Sequence, residues 1–328
     1  MVLLAGDEME RLAFLGLEYE DFQHPLDKKA LDMVKKLKGL DYLTKKIMEL
    51  GLEKILKLQF TADCLKLSKN QCGDLYKIYM DACKILDIQN PPELYIMNNP
   101  YPNAFTTGFT HPFVVLTHGL IDSFETDELM FVIGHELGHY KCGHVYYHNI
   151  LRYLDQILQY IGQATLGIGK LIGTGMMYTL FAWSRQSELS ADRAGFLVVQ
   201  DQEIAIRAMI KLMAPTPKIY KSVDIEEILK QAEEFEETSE DKLSKLYKIY
   251  YGVHRTHPWT VLRIKHILEW AESDEIQEIF SLGVPLSKVD KVKKRSKRGR
   301  KTTLFCPSCR YELKREFLFC PACGYKVQ

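Results

Sequence analysis

The chain carries no net charge, since 43 Lys and Arg residues balance 43 Asp and Glu residues over 328 positions. Bulk electrostatics therefore select neither nucleic acid nor an acidic membrane surface, and any recognition by charge has to be local. The first residues are not expected to act as a secretory signal, since no basic stretch precedes an apolar run and Asp7, Glu8 and Glu10 interrupt them. Nor is there an uninterrupted apolar run of membrane-spanning length. From Gln156 to Trp183 the chain is rich in Gly, Ile, Leu and Met, but Lys170 divides it, and a span needs about 20 predominantly apolar residues. The segment 156–183 reads either as buried or capping helices, or as helices lying flat on a membrane surface. The expected location is cytoplasmic, with any membrane contact peripheral. Around Lys170, Gly167, Gly169 and Gly173 fit neither phosphate-loop spacing. Disulfides are not expected. Four of the eight cysteines fall in two CxxC pairs, and Cys64, Cys72, Cys83 and Cys142 stand singly in helical-looking stretches, a usage that suits metal binding in a reducing compartment.

A chain of this length holds one sizeable domain with small appendages. From Leu26 to about Ile88 apolar residues recur at three- and four-residue steps, which predicts roughly three amphipathic helices. Asn90, Pro91 and Pro92 end that pattern, and short strands are expected at Glu93–Met97, Ala104–Phe109 and Phe113–Thr117. A helix should open near Thr126, with Asp127 and Glu128 where the macrodipole favours anions, and run unbroken to about Tyr147. Helical patterning resumes from Ser187 to about Met213, and the acidic stretch from Asp224 to Asp241 predicts a solvated helix face. The expected organisation is a helical region at 1–89, a catalytic domain at 90–283, a basic linker at 284–303 and a small metal-bound unit at 304–328.

Within the predicted helix stands His135-Glu136-Leu137-Gly138-His139. Two histidines four residues apart share a helix face and can bind one tetrahedral zinc. Glu136 lies beside them, placed to take a proton from a zinc-activated water and return it to a leaving amine. A site of this type wants a third protein ligand, and the candidate is Glu188, with Asp192 one turn further on the same face to hold a ligating imidazole. On their own, a Glu and an Asp four apart are common on exposed helices. His144 and His148 are read as surface or packing histidines that point away from the metal face.

The HExxH helix, the downstream Glu188-to-Asp192 pair, the Asn103-Ala104-Phe105 segment with Gly108, and Thr256-His257-Pro258 with Arg263 together resemble the HtpX-like and CAAX-prenyl-protease-like zinc metallopeptidases. The resemblance covers roughly residues 92–267. It implies a mainly α (α+β) gluzincin fold with a small β-sheet beside the HExxH helix, and Glu188 as third zinc ligand. It also implies that His257 steadies the oxyanion and that Arg263 orders the same corner. In gluzincins an edge strand adds the substrate backbone as an extra strand, which makes Asn103, Ala104 and Phe105 the candidate substrate-binding residues.

Cys306, Cys309, Cys320 and Cys323 form two CxxC knuckles with the spacing of a C-terminal zinc ribbon, a closed four-thiolate site that folds a segment too short to bury its own core. Two zincs are thus expected, one catalytic and one structural. The basic run from Lys288 to Lys301 reads as a solvated tether, with phosphate or anionic lipid as the alternative contact. The expected activity is zinc-dependent endoproteolysis of protein or peptide substrates, with a place in protein quality control. The alternative is a non-catalytic adaptor that carries the ribbon to a protein or nucleic-acid partner.

Overall fold

A computed structural model describes residues 10–37, 39–40, 51–164, 168–213, 216–237, 259–292, 304–305 and 312–313. Helix α1 (Pro25–Lys35) starts on a proline, and the His24 ring caps it by accepting the Leu26 N–H at 3.2 Å. Helices α2 (Leu52–Asp63) and α3 (Gly73–Ile85) follow, each amphipathic as the three- and four-residue spacing requires. Strands β2 (Leu65–Lys66), β3 (Glu93–Met97), β4 (Ala104–Thr107) and β5 (Phe113–Thr117) make one sheet in the order β2-β3-β5-β4. β3 and β5 run parallel, and β4 returns antiparallel to β5 as the edge strand. The second expected strand ends at Thr107 rather than Phe109, because Gly108 turns at φ +106 and a Cβ there would lie 2.9 Å from the His111 carbonyl.

After the short helix α4 (His118–Ser123) comes α5 (Thr126–Lys141), opened by a capping box of Glu125 and Glu128. Every residue from Glu128 to His139 is buried, so α5 is a central helix enclosed on all sides. It does not run to Tyr147 as expected. Gly143 takes φ +71, ends the helix and redirects the chain into α6 (His144–Ala164). The segment that follows is also more regular than its glycines suggest, for α7 runs from Ile168 to Val199 as one helix and includes Ser187. Within it Met176, Leu180 and Trp183 are buried, and among the described residues no helix is long and apolar enough to cross a membrane.

The remaining helices are α8 (Gln202–Met213), α9 (Pro217–Tyr220), α10 (Ile225–Glu237), α11 (Thr260–Ala271) and α12 (Asp274–Ser281). As expected of the acidic stretch, α10 buries only Ile228 and Ala232 and turns its glutamates outward. β1 (Leu12–Ala13) pairs antiparallel with β6 (Val284–Pro285) and ties the start of the described chain to its far side. Packing divides the chain into two units, Met1–Leu286 and Ser287–Gln328. In the second, β7 (Leu304–Phe305) and β8 (Glu312–Leu313) form an antiparallel hairpin. Cys306, Cys309, Cys320 and Cys323, and with them the expected ribbon zinc, lie outside the described residues.

Candidate metal centre

The site is built where α5 crosses α7, and the crossing is close because glycines line it. A methyl group on Gly138 would lie 2.7 Å from the Ala194 Cβ and 3.0 Å from the Ala191 Cα, and one on Gly195 would lie 2.9 Å from the Phe131 carbonyl. Contacts this short bring His135 and His139 of α5 against Glu188 and Asp192 of α7, all four buried.

Two imidazole nitrogens and the two oxygens of one carboxylate converge there. His135 Nε2 and His139 Nε2 are 3.2 Å apart, and the Glu188 oxygens lie 3.5 Å from the first and 3.3 Å from the second. A tetrahedral ion with bonds of about 2.0–2.1 Å has donor-to-donor edges of about 3.3 Å, so the spacing matches zinc. The outer ring nitrogen of His135 gives a second test. Its Nδ1–H donates to Asp192 Oδ1 at 2.9 Å, which leaves Nε2 a lone pair facing Glu188 and His139, an arrangement that a cation satisfies. Without a cation, burial lowers the His135 pKa, but hydrogen bonds and charge from Asp192 and Glu188 outweigh it and raise the value to about 9.

Asp192 is itself clamped. Arg263 of α11 donates to it from Nε at 2.7 Å and from Nη2 at 2.6 Å, and its Nη1 sits 3.3 Å from Glu188 Oε2. Burial alone would raise the Asp192 carboxyl, yet the Arg263 charge and hydrogen bonds hold it below the usual carboxylate range. Arg263 thus holds the Asp192 and Glu188 carboxylates together on one side of the cluster.

Glu136 faces β4. Thr106 donates from Oγ1 to Glu136 Oε2 at 2.8 Å, whereas Oε1 is buried with no hydrogen-bond partner among the described residues. Of the three candidate substrate residues, Asn103 bonds to Thr117, Ala104 is buried in the sheet, and Phe105 packs edge-on against Phe60 with its ring beside Arg152. The next strand residue, Thr106, touches the HExxH helix at Glu136, and the sequence offered no signal for it beyond its place in a predicted strand.

The reading of His144 and His148 as surface or packing residues that point away needs correction. Because Gly143 reverses the chain, buried His144 returns toward α5 and its Nδ1 lies 3.1 Å from His139 Nδ1. His148 sits one turn on, its ring 4.9 Å from the His139 ring and its Nε2 3.0 Å from Ser187 Oγ. On its far side His144 meets Asp27 of α1, a contact across 117 residues that no local pattern could announce. His257 lies outside the described residues.

Comparison with known proteins agrees with this geometry. Residues 70–271 match Peptidase family M48. The chain is 31% identical to the plastoglobule-localized metallopeptidase 48 of Arabidopsis thaliana, over 86% of this chain and 81% of that one. It is 25% identical to a protease HtpX homolog of Helicobacter pylori, over 49% of this chain and 60% of the relative. With a protease HtpX homolog of Sulfurisphaera tokodaii it shares 34% identity, over 29% and 33% of the two chains. No solved structure matches. With a family match over more than half its length, and the His-His-Glu cluster that such a peptidase needs, the chain belongs to Peptidase family M48, a family of metallopeptidases.

Proposed function

We propose that the chain is a zinc-dependent endopeptidase in which His135, His139 and Glu188 hold the metal and Glu136 is the general base. The observation that carries this reading is the inward convergence of two imidazole nitrogens and a carboxylate at tetrahedral spacing, with a second carboxylate beside them. Bound there, zinc supplies Lewis acidity, polarising the scissile carbonyl and easing the deprotonation of water. Thr106 fixes one oxygen of Glu136 and leaves Oε1 to take the proton of the attacking water and pass it to the leaving amine. His257, by family resemblance, steadies the developing oxyanion. Edge strand β4, which lies along the HExxH helix, offers its open side to the backbone of an extended substrate. Binding that reads backbone more than side chains suits a protease of protein quality control. A buried glutamate between the two histidines favours catalysis over the adaptor alternative, because a purely structural site has no use for it.

The test is casein cleavage together with zinc content. Phenanthroline should abolish cleavage and added zinc should restore it. Glu136→Gln should keep its zinc and lose about 10²–10⁴ in rate, the usual worth of a positioned general base. Wild-type turnover in that variant would overturn the mechanism.

A further inference from the structure

We infer that α1 completes the metal centre: Asp27, acting through His144, sets the tautomer and ring orientation of His139. This rests on the preceding reading, in which His139 binds metal through Nε2. Asp27 is fully buried, and every group around it donates. Trp183 Nε1 donates to Oδ1 at 3.0 Å, and Gln23 Nε2 donates to Oδ2 at 3.0 Å. Ser190 Oγ, which already accepts the His24 N–H at 2.9 Å, donates to Oδ2 at 2.7 Å. His144 Nε2 stands 3.1 Å from the same oxygen, so it too carries a proton.

A neutral imidazole with its proton on Nε2 can only accept at Nδ1. His144 Nδ1 faces His139 Nδ1 at 3.1 Å, so His139 must donate there, which leaves its Nε2 bare for the metal. With His144 neutral, the chain of bonds from Asp27 to His144 to His139 admits one arrangement of protons, and that arrangement is the metal-binding one. Trp183 holds the relay in place from the side, its ring edge-on to His144 at 5.6 Å. The two ligand histidines are thus oriented by different means: His135 by Asp192 directly, His139 by a carboxylate of another helix through a second imidazole. Asp27 and His144 are positioning residues and touch no substrate.

Asp27→Asn tests this with little change of shape, because it sets an amide NH2 where all neighbours donate. Zinc affinity is read by chelator competition as the zinc that Glu188→Ala removes, and the His139 tautomer by imidazole ¹⁵N shifts. Affinity should fall about 10–100-fold, the usual effect of losing such an outer partner, and His139 should lose its uniform Nδ1–H form. A second pair guards against a folding defect. His144→Gln can still accept from His139 and donate to Asp27, so it should stay within a few-fold of wild type, whereas His144→Leu should show the full loss. Wild-type affinity and tautomer in both Asp27→Asn and His144→Leu would overturn the relay alone. If the wild-type chain holds no zinc that Glu188→Ala removes, the metal reading falls and takes the relay with it.

Discussion

Among the described residues Glu136 has one side-chain hydrogen bond, from Thr106, which belongs to β4, the strand proposed to pair with substrate. On the proposed mechanism, substrate pairing and base orientation would be coupled through this one residue. Thr106→Val keeps the branched shape and deletes only the donor. A hydrogen bond to a charged group contributes about 1.5–3 kcal/mol, so kcat should fall by about 10- to 100-fold with zinc content and fold unchanged. An unaltered kcat on a peptide substrate would show that the carboxylate is aimed by other means. Legibility at this scale follows sequence distance. His135, Glu136 and His139 announce themselves because their spacing is itself the geometry of one helix face, whereas Glu188 and Asp192, a pair common on exposed helices, stand out only through the family resemblance. Thr106 and Asp27 carry no such spacing. They meet Glu136 and His144 across 30 and 117 residues, through the sheet and through the seating of α1.

Among the elements, the α5–α7 crossing decides whether a metal site exists, since its ligands come from both helices. Gly138→Ala would drive a methyl group into the Cβ of Ala194 and the backbone of Ala191, neither of which can rotate away. Overpacking of this kind costs about 1–3 kcal/mol, so the variant should melt lower and lose zinc affinity together. A variant with normal affinity and normal melting would mean that the helices separate without moving the ligands. The helix α1 gives a prediction in pH. Burial, Arg193 and His266 together lower the His24 pKa from 6.5 to about 3 despite the nearby Asp27. The unfolded chain therefore takes up the proton first, and stability falls as pH drops below 6.5 toward 3. His24→Asn keeps a capping acceptor without the titration, so its urea midpoint should fall less between pH 7 and pH 5 than that of wild type. Equal falls would remove His24 from the account. Elements were most readable where turn residues bound them, as at Pro91 and Pro92 before β3, and least where glycine cut both ways. Gly143 ends a helix that was expected to continue, while Gly173 and Gly175 lie inside α7 without breaking it. Neighbouring helices decide such cases, and a single sequence does not display them.

At the scale of the whole molecule, the chain falls into two units, Met1–Leu286 and Ser287–Gln328, and the two expected zincs belong one to each. Their ligands differ in chemistry, so their metals can be counted separately in the intact protein. The first unit offers two imidazoles and a carboxylate that converge inside a helical core. In the second, Cys306, Cys309, Cys320 and Cys323 have the spacing of a ribbon, and four thiolates there would close the coordination sphere and leave no place for water. Two zincs per chain are therefore predicted by metal analysis. A thiol-modifying reagent should release one of them and leave casein cleavage intact, because nitrogen and oxygen ligands do not react with it. Cys64 and Cys72 are free and accessible to it as well, but neither holds metal in this scheme, so their modification should release no zinc. Phenanthroline should act in the opposite sense and stop cleavage. The paired change Cys309→Ala and Cys323→Ala should lower the count to one with activity retained, and Glu188→Ala should lower it to one with activity gone. A single zinc in the wild-type chain, or loss of both metals in either variant, would refute the assignment of two independent sites.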